Sequence, residues 1–113
     1  MRFATLFAAA LAAAAVPARS QAPSPPAEFL QPAKGHCIAC HQLPEGVGPA
    51  TRADLGPRLD GARMRSLGRA GIRQAIVDPT RANPHTVMPP FGRHRILTAA
   101  EIDRLVAFLH ALP

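Results

Sequence analysis

Both cysteines of the chain lie in one five-residue stretch, Cys37-Ile38-Ala39-Cys40-His41. Two thiols three positions apart, with an imidazole next to the second, suit four kinds of chemistry. Dithiol exchange of the thioredoxin type needs a βαβ setting, and no strand pattern is found anywhere in the chain. A zinc site needs four ligands, usually a second pair at a set spacing; His36, His85, His94 and His110 show no such spacing. A short-loop disulfide between Cys37 and Cys40 is a third reading. The fourth is covalent haem attachment, of which Cys-x-x-Cys-His is the signature. On a helical turn the two thiols match one porphyrin edge and add across its two vinyl groups. The adjacent His41 then faces the iron from one side.

Iron held this way takes a second axial ligand. Met88 sits in Thr86-Val87-Met88-Pro89-Pro90-Phe91-Gly92. A residue before proline is driven to extended geometry, and the Pro-Pro pair stiffens the chain beyond it. A thioether is thereby held on a rigid loop at low entropic cost. Met64, His85 and His94 are rivals. The other ring N–H of His41 needs an acceptor that fixes the ring. Pro57, in Gly56-Pro57-Arg58-Leu59-Asp60-Gly61, offers its carbonyl, and Gly48-Pro49 offers a competing one.

The elements that position these groups are few. Ala62 to Asp78 carries Met64, Leu67, Ile72, Ala75 and Ile76 at roughly helical spacing and ends at Pro79. Gly68 and Gly71 weaken its first half, which predicts a firm helix from about Arg69. Thr98-Ala99-Ala100-Glu101 is a capping box, and Ile102, Leu105, Val106 and Leu109 continue it as one apolar stripe. A short helix within Glu28–His41 is punctuated by Pro32 and Gly35. The stretches Leu43–Gly61 and 79–97 read as Gly- and Pro-marked loops. The class is small all-α with long ordered loops.

Met1-Arg2, an apolar run from Phe3 to Val16 and then small residues predict a secretory signal over 1–22. Cleavage falls after Ala18 or Ala22, and 23–27 reads as an extended linker to a domain at 28–113. The run is short of the roughly 20 apolar residues a membrane span needs, so no span is expected after processing, and export to the periplasm is. The net charge is +6, from 13 basic and 7 acidic residues. The arginines are scattered and lack aromatic partners, which argues against nucleic acid. They form a solvated surface or steer an anionic partner. Arg93, beside the methionine loop, is the one best placed for a haem propionate or an interface. After cleavage only Phe29, Phe91 and Phe108 remain as aromatics. So small a core needs a staple, and a haem supplies a large apolar body for it to form around.

From about Lys34 to Leu112 the chain resembles a class I cytochrome c, and within that class the SoxX family. The resemblance is carried by Gly35-His36-Cys37-Ile38-Ala39-Cys40-His41, by Asp78-Pro79-Thr80-Arg81-Ala82-Asn83-Pro84-His85-Thr86-Val87-Met88-Pro89-Pro90-Phe91-Gly92-Arg93-His94, and by Ile96-Leu97-Thr98 with Glu101-Ile102. His36 stands where that family usually has Asn, and the loop from Glu45 to Leu59 is longer than usual. The resemblance implies one covalent haem c anchored by Cys37 and Cys40, with His41 and Met88 as axial ligands. It also implies a heterodimer with a SoxA-type cytochrome subunit. That assembly couples thiosulfate oxidatively to a cysteine of a sulfur-carrier protein and passes electrons to an acceptor cytochrome c, an L-cysteine S-thiosulfotransferase reaction. With both thiols consumed by haem, no free cysteine in this chain could carry the sulfur, so the bond-making site is expected on a partner. A free-standing periplasmic electron shuttle is the alternative.

Overall fold

The computed structural model describes residues 14–113. Most of the apolar run of the predicted leader, residues 3–13, lies outside them. Among the described residues there are helices and turns but no strand: α1 at Ala27–Leu30, α2 at Gly61–Val77 and α3 at Ala99–His110, with 3₁₀ turns at Cys37–Ala39 and Pro79–Arg81. No helix among them is long and apolar enough to cross a membrane.

Helix α3 is built as its sequence dictates. The Thr98 hydroxyl accepts from the Glu101 N–H at 3.2 Å, and the Glu101 carboxylate accepts from the Thr98 N–H at 2.9 Å. Two donors that the helix start would orphan are thus satisfied. Ile102, Leu105, Val106 and Leu109 are buried, joined by Phe108, and the stripe packs mainly on α2. Removing the hydroxyl in Thr98→Ala is expected to cost about 1 kcal/mol, read as a fall in Tm of roughly 4–8 °C.

Helix α1 is a single turn, too short to persist alone. Phe29 holds it, fully buried, with its ring edge-on to Phe108 at a centroid distance of 5.6 Å. Ion pairs add to this clamp: Arg104 on α3 donates to the buried Glu28 carboxylate, and Lys34 donates to Glu101. The hydrogen bond from Lys34, with that from the Thr98 N–H, pulls the Glu101 carboxyl from 4.5 to about 2. A carboxyl lowered on folding stabilises the fold above its unfolded value and loses that effect as pH falls through the folded value. The Tm is therefore expected to fall between pH 4.5 and about 2, and Glu101→Gln, examined by thermal melts across that window, should flatten the fall.

Two expectations are corrected. Helix α2 starts at Gly61 rather than near Arg69, because the Asp60 carboxylate caps it, accepting from the Arg63 N–H at 2.8 Å. Gly68 does not delay the helix but bends it: its backbone sits at φ 66°, ψ 171°, a conformation essentially reserved for glycine. Pieces 61–67 and 69–77 meet at that kink. The stretch 23–27 is not all linker, since Pro25 packs against Gly48 and Ala27 opens α1. Arg93 lies 3.6 Å from the Asp78 carboxylate, with its side chain 61% exposed.

The long loops are ordered because they contribute to the core. Leu43, Val47 and Leu59 are buried from the first, Phe91 and Leu97 from the second. Gln42 ties the first loop across itself, donating to the Ala53 carbonyl at 2.8 Å and accepting from Arg58 at 3.0 Å.

Candidate haem-binding site

The Cys-x-x-Cys-His stretch forms a tight 3₁₀ turn, closed by the Cys40 N–H on the Cys37 carbonyl at 3.1 Å, and the His41 N–H donates to the same carbonyl at 2.9 Å. His36 precedes it at φ 48°, in the left-handed region. Asn, Asp and His are the non-glycine residues enriched there, so His36 takes this conformation at little cost. The turn puts both thiols and the His41 ring on one wall. Neither cysteine is in a disulfide. Burial pushes the Cys37 thiol up to about 11, so it stays protonated at neutral pH; its sulfur lies 4.0 Å from the Glu28 carbonyl.

His41 is fixed from two directions. Its Nδ1 lies 2.7 Å from the Pro57 carbonyl oxygen. A carbonyl only accepts, so Nδ1 carries a proton, and in the neutral imidazole the lone pair is then on Nε2. Of the two carbonyls the sequence offered, the contact is made by Pro57. Gly56 lies against the ring itself. A Cβ there would stand 2.4 Å from Cε1, 2.6 Å from Nδ1 and 2.8 Å from Nε2. The Gly56 N–H donates to the Cys40 carbonyl at 2.9 Å, which pins this turn to the cysteine turn. Sequence reading took Gly56 only as part of the turn around Pro57; its close approach to the imidazole depends on where the two turns meet.

The wall opens on a largely apolar cavity of about 690 Å³, within the range of sites that hold a cofactor-sized ligand. Helix α2 lines it with Met64 and Leu67 before the kink and Ile72 and Ile76 after it; α3 adds Leu105 and Leu109. Cys37, Cys40, His41, Pro57 and Met88 all face this one space, although His41 and Met88 lie far apart in the chain. Of the rivals, Met64 and His85 also line it; Met64 is almost wholly buried on α2, Met88 half-buried on its loop. His94 and Pro49 do not line it. Among the described residues no cluster of three His, Cys, Asp or Glu is placed to hold a bare metal ion.

These residues fit a haem. The cavity is too large for a packing defect and too apolar for a hydrated ion. Its one oriented nitrogen donor stands beside two thiols, and thioether sulfur is available from Met88 and Met64. When bound, such a group supplies a reversible one-electron change at iron. The chain's own residues orient the imidazole, exclude water with aliphatic side chains and hold the Nδ1 proton on Pro57.

A strand-free helical shell around such a cavity, with a Cys-x-x-Cys-His wall, defines a class I c-type cytochrome domain, a haem-binding module of electron transfer. The chain belongs to the family described as cytochrome c oxidase, cbb3-type, subunit III, whose model matches residues 25–109. An uncharacterized lipoprotein of Aquifex aeolicus (strain VF5) is 32% identical over 77 residues, which cover 68% of this chain and 36% of that protein. The chain thus spans about a third of the length of that relative.

Proposed function

We propose that this cytochrome is the monohaem electron-transfer subunit of a SoxAX-type complex, exported to the periplasm. The observation that carries the reading is the run Asn83-Pro84-His85-Thr86-Val87-Met88-Pro89-Pro90-Phe91-Gly92, which brings Met88 to the same cavity as His41. One haem c is held by thioethers from Cys37 and Cys40, with His41 and Met88 as its axial ligands and the Pro57 carbonyl behind His41. Methionine coordination favours the reduced iron and raises the potential relative to two histidines.

Joining a thiosulfate sulfur to a carrier thiol makes one S–S bond and releases two electrons and the thiol proton. The bond forms on the SoxA-type partner, because both thiols of this chain are engaged. This chain receives the electrons one at a time and hands them to an acceptor cytochrome c. The free-standing shuttle shares the haem, the ligands and the export signal but needs no such partner.

The test is co-purification. The holoprotein is expected to form a stable heterodimer with a SoxA-type cytochrome and, alone, to be redox-active without conjugating thiosulfate. Failure to bind any SoxA-type subunit, or conjugation by the isolated chain, overturns the reading. The ligand assignment has its own check. Met88→Ala should abolish the weak far-red band of the oxidised protein, while Met64→Ala should leave it; the reverse result would assign the thioether to Met64.

A further inference from the structure

The loop that carries Met88 presents a second donor to the same cavity. His85, three residues before Met88, is exposed and lines that space. Asn83-Pro84-His85-Thr86 is a tight turn, closed by the Thr86 N–H on the Asn83 carbonyl at 3.1 Å. The Asn83 side-chain oxygen accepts from the His85 N–H at 3.1 Å. Met88 is joined to this turn, its N–H donating to the Thr86 hydroxyl at 3.1 Å. The segment is anchored at its ends, where the Asn83 N–H donates to the Pro79 carbonyl at 3.1 Å and Phe91 is buried. Among the described residues no hydrogen bond ties residues 84–89 to anything outside 83–91, and none engages the His85 ring. The other imidazole at the cavity besides His41, that of His36, belongs to the turn that carries His41. The other thioether, Met64, is fixed on α2.

A loop held by its ends and by packing shifts without breaking a hydrogen bond to the body of the domain, and such segments open at low cost. Imidazole nitrogen and thioether sulfur are both haem ligands. We propose that His85 is a reserve axial ligand, which takes the place of Met88 at the haem iron when the thioether leaves it. In the exchange the Met88 sulfur departs with its lone pair. One nitrogen of the neutral His85 ring donates its own, while the other nitrogen keeps its proton. No electron moves. Thioether coordination favours reduced iron, so oxidation favours the exchange by the same factor. The loop thus offers two ligands and two reduction potentials, the imidazole one being the lower. This inference rests on the proposed ligation by Met88 and not on a SoxA-type partner.

The test compares full-length holoprotein as parent, Met88→Ala, His85→Ala and Met88→Ala/His85→Ala, by optical and electron paramagnetic resonance spectra of the oxidised forms. His85→Ala is expected to keep the far-red band of the parent. Met88→Ala is expected to lose that band yet stay low-spin, with a lower reduction potential than the parent. The double variant is expected to be high-spin, and free imidazole should return it to the low-spin form. Imidazole supplied during preparation also supports assembly of a double variant that loads poorly, and dialysis then exposes the open position. Carbon monoxide gives a second reading on the reduced proteins. An internal ligand lowers apparent affinity by the fraction of iron it leaves open, so Met88→Ala should bind the gas about tenfold more weakly than the double variant. A high-spin Met88→Ala, or a double variant that stays low-spin without added imidazole, overturns the inference and leaves Met88 as the ligand of the parent. A far-red band retained in Met88→Ala also overturns it, and Met64→Ala then tells whether the Met88 assignment falls with it. Failure of a SoxA-type subunit to bind would remove the SoxAX reading and leave the reserve ligand standing.

Discussion

Chain produced without haem attachment, for example as Cys37→Ala/Cys40→Ala in cells that cannot load it, is expected to show no cooperative thermal transition. The reason is the size of the space the group would occupy. Empty cavity in a protein core costs about 24 cal/mol per Å³. For the cavity of about 690 Å³, an unfilled interior would cost on the order of 10 kcal/mol even allowing for water entering its open side. That equals the whole stability of an ordinary domain, roughly 5–15 kcal/mol. The residues that would have to close the gap cannot reach one another. Ile72 and Ile76 lie beyond the kink at Gly68, Leu105 and Leu109 are fixed on α3, and the facing wall is loop. Circular dichroism melts of loaded and unloaded protein check this. A sharp transition in the unloaded chain, at the temperature of the loaded one, would show that the three helices hold the fold unaided. The same comparison disposes of the disulfide reading, since haem bound by thioethers stays on the polypeptide in a denaturing gel and a disulfide leaves no colour.

The second large effect is expected from one methyl group. Gly56→Ala places a Cβ within 2.8 Å of three atoms of the His41 ring. Neither side can yield cheaply. The glycine backbone is pinned by its N–H on the Cys40 carbonyl, and the ring by Pro57. Overpacking a well-filled site costs typically about 1–3 kcal/mol, and here it falls on the orientation of the group that faces the haem. The variant is expected to load poorly and, where loaded, to show an altered spectrum and a shifted reduction potential. Ala62→Gly, on the exposed first turn of α2, provides the contrast. It should lower stability by up to about 1 kcal/mol through helix propensity alone, with the spectrum unchanged. A Gly56→Ala protein with the parent spectrum and potential would show that the ring tolerates displacement. In that case the close approach of Gly56 would have no bearing on the site.

The sequence by itself determined the parts whose physics is local. The capping box and stripe of α3 satisfy their own backbone groups and face one way, so Thr98–Leu109 reads directly as a buried helix. Cys37, Cys40 and His41 are brought together by a single turn of chain, and their chemistry is legible from spacing. The Pro-Pro pair stiffens the Met88 loop wherever it ends up. The tertiary structure alone decided the relations between distant segments. The Gly56–Pro57 turn lands on His41 rather than Gly48-Pro49 because hydrogen bonds from Gly56 to Cys40 and from Leu59 to Gln42 fix it there. Arg93 lies beside Asp78, and the kink at Gly68 lets both halves of α2 line one cavity. None of these can be read from a residue's neighbours in sequence, because each depends on which surfaces remain once the helices have packed around a space their own side chains do not fill.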